Sequence, residues 1–234
     1  MSKTSRALAA LAALSLALTG CTAKADTPTP SASASFPPAE QLLGEGALAM
    51  AGTQTAHFAI SVDGKIANLP LKKAEGDLTR EGSAKGTATI EQLGLTIEGE
   101  FIVVNKKLYF KGATGGFQEI PLALAATVYD PSAILDPTKG VAKLLSAAKN
   151  PKVLAVEKVE GADAYKISLE TDPTALAAII PGAPAGVTAN LWLDAATKKL
   201  VKGEFTIPAS GSDPAGKVLA TFTKYDAPVT ISAP

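Results

Sequence analysis

The chain has 234 residues, and its 22 Lys and Arg residues balance 22 Asp and Glu residues, which gives a formal net charge of +0. This balance argues against a nucleic-acid-binding protein, because such proteins neutralise phosphates with a basic surface. One Cys excludes an internal disulfide, and one His excludes paired-histidine zinc motifs. The charged fraction of 19% is below the roughly 25% of an average soluble domain, and the mean hydropathy is +0.20.

The first residues have the pattern of an export signal. Lys3 and Arg6 precede an apolar run, residues 7–18, which is shorter than the about 20 residues that a helix needs to cross a bilayer. Residues 18–21 read Leu-Thr-Gly-Cys, which resembles the lipobox of bacterial lipoproteins, whose cysteine is acylated and becomes the first mature residue. We therefore expect Cys21 to be the lipid attachment site. The alternative is a plain signal peptide with an unrelated cysteine nearby.

Composition divides the chain into three parts. Residues 1–20 are predicted to be a lipoprotein signal peptide, and their removal takes away two positive charges and leaves a net charge of −2. Residues 21–38 are predicted to be the acylated cysteine and a disordered tether, because Pro, Ser, Thr and Ala dominate without periodicity. Residues 39–234 contain no second linker and are predicted to form a single domain.

The predicted domain begins with a helix that starts at Ala39 and ends at Gly52. Alternating apolar and polar residues then predict adjacent antiparallel strands with one apolar and one polar face. The polar face includes His57, Glu98 and Glu100. The apolar face of these strands is predicted to include Phe58, Ile60, Val62, Ala88, Ile90, Leu95, Ile97, Phe101, Val103, Leu108 and Phe110.

Helices are predicted at three Asp-Pro pairs, because Asp caps helix N-termini and Pro is tolerated at the first helical position. The pairs begin at Asp130, Asp136 and Asp172. The apolar residues assigned to these helices are Ile134 and Leu135, then Val141, Leu144 and Leu145, and finally Leu176, Ile179 and Ile180. Further strands are predicted around residues 153–155, 164–169, 187–193, 201–207, 218–222 and 229–231.

The order of these elements predicts an α+β fold. Strands and helices do not alternate regularly, so a parallel βαβ sheet is not expected. We predict a long, curved antiparallel sheet with helices on its apolar face.

Catalytic motifs are absent from the sequence. It contains neither G-x-S-x-G nor a P-loop pattern. His57 is predicted to be a surface strand residue, and Glu98 with Glu100 a solvated pair. Trp192 alternates with Leu191 and Leu193, which predicts an exposed position. We therefore expect no enzymatic activity and no cofactor or metal site.

Small residues interrupt the predicted apolar face. They are Gly86, Ala88, Gly99, Ala189, Gly203 and Ala220, in a chain with only 5% aromatic residues. One interpretation is an ordinary core in which helices approach the sheet closely. The other is space for an apolar ligand, because large empty cavities are costly.

Several segments resemble the LprG/LppX family of mycobacterial and actinobacterial lipoproteins, most of all its LprG branch. They are SVDGKI at 61–66, EGDLT at 75–79 and VYDPSAILDP at 128–137, with Gly140 and Leu144-Leu145 after them. The resemblance covers nearly all of the mature domain and depends on the order and spacing of these segments. It implies a half-barrel sheet whose concave apolar face clasps helices around a hydrophobic cavity.

The resemblance also implies a function without catalysis. The family binds multi-acylated lipids or glycolipids and moves them from the inner membrane outward. For this chain it implies anchorage to the cell membrane through acylated Cys21, a position facing the periplasm or cell wall, and a major-facilitator-type efflux transporter as a partner. The competing hypothesis is a tethered envelope scaffold with a filled core and no lipid cargo.

The predicted cavity combines the apolar sheet face with the covering helices. Ala88 and its neighbours on that face match the sheet positions that the family directs toward its cavity. The predicted cavity residues are Phe58, Ile60, Val62, Ala88, Ile90, Leu95, Ile97, Phe101, Val103, Leu108, Phe110, Ile134, Leu144, Leu145, Leu176, Ile179, Ile180, Leu191 and Phe205.

Overall fold

The computed structural model describes residues 36–64, 66, 69–92, 94–121, 133–209 and 214–234. Residues 36–234 form one compact unit. None of the helices in the described part of the chain is long and apolar enough to cross a membrane. Cys21 and the predicted tether up to residue 35 lie outside the described residues.

Three helices and eleven strands make up the described structure. The helices are α1 (Ala39–Gly52), α2 (Val141–Ser146) and α3 (Pro173–Ala177). The strands are β1 (Thr55–Asp63), β2 (Leu71–Thr79), β3 (Ala84–Gln92), β4 (Leu95–Val104), β5 (Lys107–Gly112), β6 (Gln118–Pro121), β7 (Lys149–Val159), β8 (Ala162–Glu170), β9 (Thr188–Asp194), β10 (Leu200–Ile207) and β11 (Gly216–Thr223).

All eleven strands belong to one open, curved antiparallel sheet. Its strand order is β6-β5-β4-β3-β2-β1-β11-β10-β9-β8-β7. Two meanders, β1–β6 and β7–β11, are therefore joined side by side where β1 pairs with β11. The chain leaves the sheet at one edge after β6 and re-enters at the opposite edge as β7. The antiparallel, curved α+β fold predicted from the sequence is confirmed.

The sheet has an inner face, which carries Phe58 and Ile60, and an outer face, which carries His57 and Ser61. Inner side chains of the central strands are buried, as in the pattern of β1, where every second residue is buried. The helices contribute their apolar residues to the same core, including Leu42 of α1 and Leu144 of α2.

Gly46 explains how α1 approaches the sheet so closely. A Cβ atom at this position would lie 3.0 Å from Leu193 Cδ1 and 3.1 Å from the backbone oxygen of Lys198. It would also lie 3.4 Å from Leu145 Cδ1. A glycine in this helix therefore lets α1 pack between α2 and the end of the β9–β10 hairpin.

The second Asp-Pro pair begins a turn, not the predicted helix. Asp136 Oδ1 accepts hydrogen bonds from the backbone nitrogens of Thr138 at 2.7 Å and Lys139 at 3.1 Å, and α2 starts only at Val141. A carboxylate that accepts backbone hydrogen bonds can cap a helix, but at Asp136 it closes a turn. At the third pair the prediction is confirmed, because Asp172 caps α3 through Thr174 and Ala175. Asp130 lies outside the described residues.

The predicted last strand is wrong. Residues 224–234 contain no strand. They are held by other contacts: Thr55 Oγ1 donates to the backbone oxygen of Ala227 at 2.7 Å, and Lys85 Nζ donates to that of Thr230 at 3.0 Å. The alternation of Val229 and Ile231 therefore reflects an extended segment attached to the start of β1 and β3. Strand β6, in contrast, was not predicted.

Candidate functional site

The strand register aligns small residues into one line across the inner face. These residues lie directly opposite one another on seven neighbouring strands, from β10 to β5. We call this line the small-residue row; it consists of Gly203, Ala220, Ile60, Ala74, Ala88, Gly99 and Gly112. Ile60 is its only large side chain. The row runs perpendicular to the strands and forms a shallow trough in the apolar face.

Bulky side chains border the small-residue row on both sides. On one side the register places Phe222 opposite Phe58, and Phe101 opposite Phe110. Gly76 and Gly86 lie between these two pairs. On the other side the inner face carries Phe205, Val218, Val62, Leu71, Ile90 and Ile97. The trough is therefore walled by aromatic residues on one side and largely by aliphatic residues on the other.

Two phenylalanine rings fold over the trough, one at its Gly203 end and one at Gly99. An added Cβ at Gly99 would lie 2.5 Å from Phe110 Cζ, and one at Gly203 would lie 3.1 Å from Phe205 Cε2. Each ring thus occupies the space that its glycine leaves open. Rotation of either ring would return only part of that space, because Lys111 O lies 2.6 Å from the Cβ position at Gly99 and Leu191 Cδ2 lies 3.2 Å from that at Gly203.

A small inner pocket lies between the sheet and the turns that carry Ile134, Ile179 and Ile180. Its volume is about 30 Å³, close to the share of one water molecule in the liquid. Ligand sites usually have roughly 300–1,000 Å³. The inner pocket is lined by Ile60, Val62, Leu69, Leu71, Ile134, Ile179, Ile180, Phe205, Val218, Ala220 and Phe222. The lining is apolar throughout, but the space is far smaller than one acyl chain requires.

The predicted cavity residues are not all equally buried. Six of them line the inner pocket: Ile60, Val62, Ile134, Ile179, Ile180 and Phe205. Others are buried in the surrounding core: Phe58, Phe101, Val103, Leu144, Leu145, Leu176 and Leu191. Ala88, Ile90, Ile97, Leu108 and Phe110 are half-buried, whereas Leu95 is 67% exposed. The assignment of these residues to a lipid cavity stays a prediction.

Five pocket-lining residues were absent from that prediction: Leu69, Leu71, Val218, Ala220 and Phe222. The last three alternate along β11 and show the ordinary signal of a half-buried strand. Their position depends on the pairing of β11 with β1, which joins the two ends of the domain. Local alternation could place them on the apolar face but not beside Ile60.

Larger depressions lie on the outer face. One has a volume of about 310 Å³ and the other about 510 Å³, and both are open to solvent. Ser61, Lys73, Glu75 and Thr87 are among the residues of the first, and Glu98 belongs to the second. Such polar, open surfaces do not exclude water from hydrocarbon. The inner face is therefore the better candidate for an apolar ligand despite its small pocket.

His57 lies on the outer face, as expected, and is paired with two carboxylates. Its Nδ1 lies 2.7 Å from Asp77 Oδ1, and its Nε2 lies 3.3 Å from Glu75 Oε1. Both ring nitrogens thus face acidic groups, and neither is directed at a nucleophile. In the part of the chain that the structure describes, no three His, Cys, Asp or Glu side chains converge to hold a metal.

Trp192 is buried, which corrects the expectation of an exposed position. It is only 3% exposed, because the ammonium groups of Lys166 and Lys202 lie 5.0 Å and 4.3 Å from its ring centre. Its Nε1 donates to Glu157 Oε2 at 2.7 Å. This hydrogen bond, supported by one from Lys166, holds the pKa of the Glu157 carboxyl below its ordinary value. The cluster stabilises the outer face of β7–β10.

Relatives of the chain have the names of a diacylated glycolipid transporter and a lipoarabinomannan carrier. LprF from Mycobacterium bovis, whose name describes a diacylated glycolipid transporter, is 27% identical over 233 residues, with 92% of this chain and 85% of LprF covered. The lipoarabinomannan carrier protein LprG from Mycobacterium leprae is 29% identical over 185 residues, which covers 77% of this chain and 75% of LprG. LprG from Mycolicibacterium smegmatis is 27% identical over 231 residues, with 97% and 94% covered.

Two crystal structures share the fold. LprF from Mycobacterium bovis superposes with a TM-score of 0.72 at 25% identity and covers 84% of this chain and 96% of its own. LppX from Mycobacterium tuberculosis gives a TM-score of 0.64 at 20% identity, with 85% and 100% covered. The LppX_LprAFG lipoprotein family matches residues 38–231. The chain is therefore a member of the LppX_LprAFG lipoprotein family, as its sequence motifs predicted.

Proposed function

We propose that this protein is a membrane-anchored carrier that binds the acyl chains of lipids or glycolipids between the inner face of its sheet and its helices. It then moves these lipids from the inner membrane toward the outer envelope. The observation that carries this proposal is the small-residue row on the apolar inner face. It lies between a largely aliphatic row and two phenylalanine pairs that Gly76 and Gly86 separate. The names of the relatives support the ligand class, and the direction of transfer follows the family resemblance.

The small-residue row offers the shape that a hydrocarbon chain needs. Each methylene that leaves water contributes about 0.8 kcal/mol, so a long chain gains much by lying in the trough. The ligand's headgroup stays outside the apolar trough, in contact with water, so its polar groups keep their hydration.

Lipid binding requires the inner pocket to widen. Its present volume of about 30 Å³ admits no acyl chain. Two movements provide the space: rotation of Phe205 away from Gly203, and displacement of the short helices together with their adjoining turns, which line the pocket. Helices α2 and α3 have only six and five residues, so little helical hydrogen bonding resists their displacement.

The small pocket volume also favours a second candidate function, a tethered scaffold with a filled core and no lipid cargo. The two functions differ in what co-purifies with the protein. Native mass spectrometry of the protein after exposure to a membrane extract separates them, since only the carrier acquires lipid.

A tryptophan in the small-residue row tests the carrier proposal. Ala88→Trp fills the trough, and the resulting overpacking lowers lipid co-purification by at least about tenfold. Thr87→Trp, one residue away on the outer face, is the matched control and leaves lipid content unchanged. Circular dichroism shows whether both variants fold. If the folded Ala88→Trp protein carries as much lipid as the wild type, acyl chains do not lie on this face.

Anchorage through Cys21 is a separate part of the proposal. A diacylated or triacylated cysteine holds a protein stably on a membrane, whereas one chain anchors only marginally. Cys21→Ala should abolish palmitate labelling. Thr27→Ala in the tether should leave it unchanged. Palmitate labelling that persists in the Cys21→Ala protein would contradict a lipid anchor at this residue. The partnership with a major-facilitator-type transporter remains a prediction of the resemblance.

A further inference from the structure

The β3–β4 hairpin extends the inner face beyond the buried core. Gln92 pairs with Leu95, so a turn of only two residues joins the strands, and Gly94 supplies the positive φ of 76° that such a turn needs. The hairpin lies two strands from one edge of the sheet, between β2 and β5. Its turn is the outermost point of both strands.

Burial decreases steadily along the inner face of β4 toward this turn. Val103 and Phe101 are 1% and 7% exposed, Ile97 is half-buried, and Leu95 is 67% exposed. Ile90, which pairs with Ile97, is also half-buried. At roughly 3.4 Å per residue, the less covered part of β4 from Leu95 to Gly99 is about 14 Å long. Within the described chain, the hairpin end thus presents an apolar surface to its surroundings.

The end of this hairpin contains no charged residue. The nearest charges are Glu91 and Glu98, and both lie on the outer face, opposite to Leu95. Glu91 is also paired with Lys72 at 3.2 Å. Entry of the tip into hydrocarbon therefore avoids the cost of burying a charge.

The apolar surface of the hairpin is continuous with the inner pocket. Ile97 pairs with Ile90, and Ile90 pairs with Leu71. Leu71 in turn lines the inner pocket together with Leu69. An acyl chain could therefore move from the tip to the pocket without leaving apolar contact.

The other exposed large apolar residues in the described part of the chain either lie among charged residues or have no apolar path to the inner pocket. Leu154 and Val156, which are 50% and 43% exposed, lie on edge strand β7 among charged residues such as Lys152 and Lys158. Leu48 is 77% exposed, but it is isolated on the side of α1 that faces away from the core. Among the exposed large apolar residues that the structure describes, only those at the hairpin tip combine an uncharged end with a path to the inner pocket.

We propose that the tip of the β3–β4 hairpin inserts into the hydrocarbon of a lipid bilayer and that acyl chains enter the protein along its inner face. The proposal rests on the proposed function, and it adds a membrane-contact site and an entry route. The bilayer is the occupant that the surface fits best, because the tip is apolar, uncharged and connected to the pocket that receives the chain.

Tryptophan fluorescence measures the insertion directly. The full-length protein is mixed with vesicles of phosphatidylcholine and phosphatidylglycerol whose acyl chains are brominated, since bromine quenches only nearby tryptophans. Leu95→Trp should be quenched strongly and its emission should shift to the blue. Leu154→Trp is the matched control, an exposed leucine on the far edge strand, and should be quenched no more than the wild type. The fluorescence of the wild-type protein comes from Trp192 alone, which is buried beneath two lysines.

Uptake kinetics test the entry route. Leu95→Asn should slow the transfer of lipid from vesicles to protein by at least about tenfold, as expected for the loss of one leucine that is buried in hydrocarbon. Leu154→Asn should load at the wild-type rate. The final amount of bound lipid should be equal in the wild type and in Leu154→Asn, because Leu154 does not line the inner pocket.

The outcomes distinguish this proposal from the proposed function. If the wild type never acquires lipid, the carrier function fails, while quenching of Leu95→Trp would still support membrane contact. If the wild type loads but Leu95→Asn loads equally fast, the entry route is wrong. If Leu95→Trp emits in the blue without vesicles and escapes quenching by brominated lipid, another part of the protein or a second copy covers the tip, and the proposal is overturned.

Discussion

Asp226 ties the C-terminal segment to two earlier parts of the chain. Its carboxylate accepts a hydrogen bond from the backbone nitrogen of Gln54 at 2.8 Å and pairs with Lys199, and its own nitrogen donates to Thr55 at 2.9 Å. The hydrogen bond from Gln54, followed by the one from Lys199, holds the pKa of this carboxyl below its ordinary value. Beside it Tyr225 donates to the backbone oxygen of Leu200, and burial raises the pKa of its phenol.

The lowered pKa of Asp226 predicts a pH-dependent contribution to stability. A carboxyl whose folded pKa is depressed stabilises the fold above its unfolded pKa, and this contribution disappears as pH falls below about 4. Asp226→Asn should therefore lower the free energy of unfolding at pH 7 by roughly 0.5–1 kcal/mol, a range that allows for solvent screening. The difference from the wild type should shrink toward pH 3. Urea titrations at both pH values measure it.

Asp163→Asn serves as the control for this titration. Asp163 forms an ion pair with Lys158 at 2.9 Å, but both side chains are more than half exposed. Exposed pairs contribute little, so this substitution should have a small effect at either pH. A difference for Asp226→Asn that stays constant from pH 7 to pH 3 would contradict the electrostatic role of its carboxylate.

Among the secondary-structure elements, α3 is the one whose attachment is easiest to weaken. It has five residues, and Asp172 caps its N-terminus by accepting hydrogen bonds from Thr174 and Ala175 at 3.0 Å and 3.1 Å. Ile179 and Ile180, in the turn after the helix, line the inner pocket. Loosening the cap should therefore loosen one wall of the pocket.

Asp172→Ala should speed lipid exchange several-fold while it lowers the urea midpoint of unfolding. The control is Asp194→Ala, because Asp194 closes the β9–β10 turn with similar hydrogen bonds to Ala196 and Thr197 but does not line the pocket. Asp194→Ala should lower the free energy of unfolding without changing lipid exchange. Fluorescent-lipid transfer between the protein and vesicles measures the exchange rate. Equal exchange rates in the two variants would show that α3 does not control access.

Elements with local signals were predictable, and elements that depend on distant partners were not. The hairpins of β1–β5 follow from alternation and short turns, which neighbouring residues determine. Strand β6 has four residues and ends in Pro121, so it shows no alternation and is fixed only by its pairing with β5. Asp136 carries the same Asp-Pro signal as Asp172, and only the surrounding structure decides between a turn and a helix.

At the scale of the whole molecule, the register of the sheet organises the candidate site. The sequence predicts that Ala88 and Gly99 lie on the apolar face, but not that they join Gly203 and Ala220 in one line. That alignment requires the pairing of β1 with β11. The burial of Trp192 likewise depends on lysines from two neighbouring strands. The small pocket volume could not be predicted at all, because it depends on how the ring of Phe205 packs against the other lining side chains.

Identification of the lipid bound in the native membrane tests the central claim most directly. The full-length protein is purified from the membranes of its own cells with a mild detergent, and the lipids that remain bound are extracted and identified by mass spectrometry. Ala88→Trp, purified in parallel, measures lipid that adheres non-specifically. The carrier proposal predicts an approximately stoichiometric acylated lipid or glycolipid in the wild type and little in the variant. Wild-type protein without bound lipid, or equal lipid in both proteins, would contradict it.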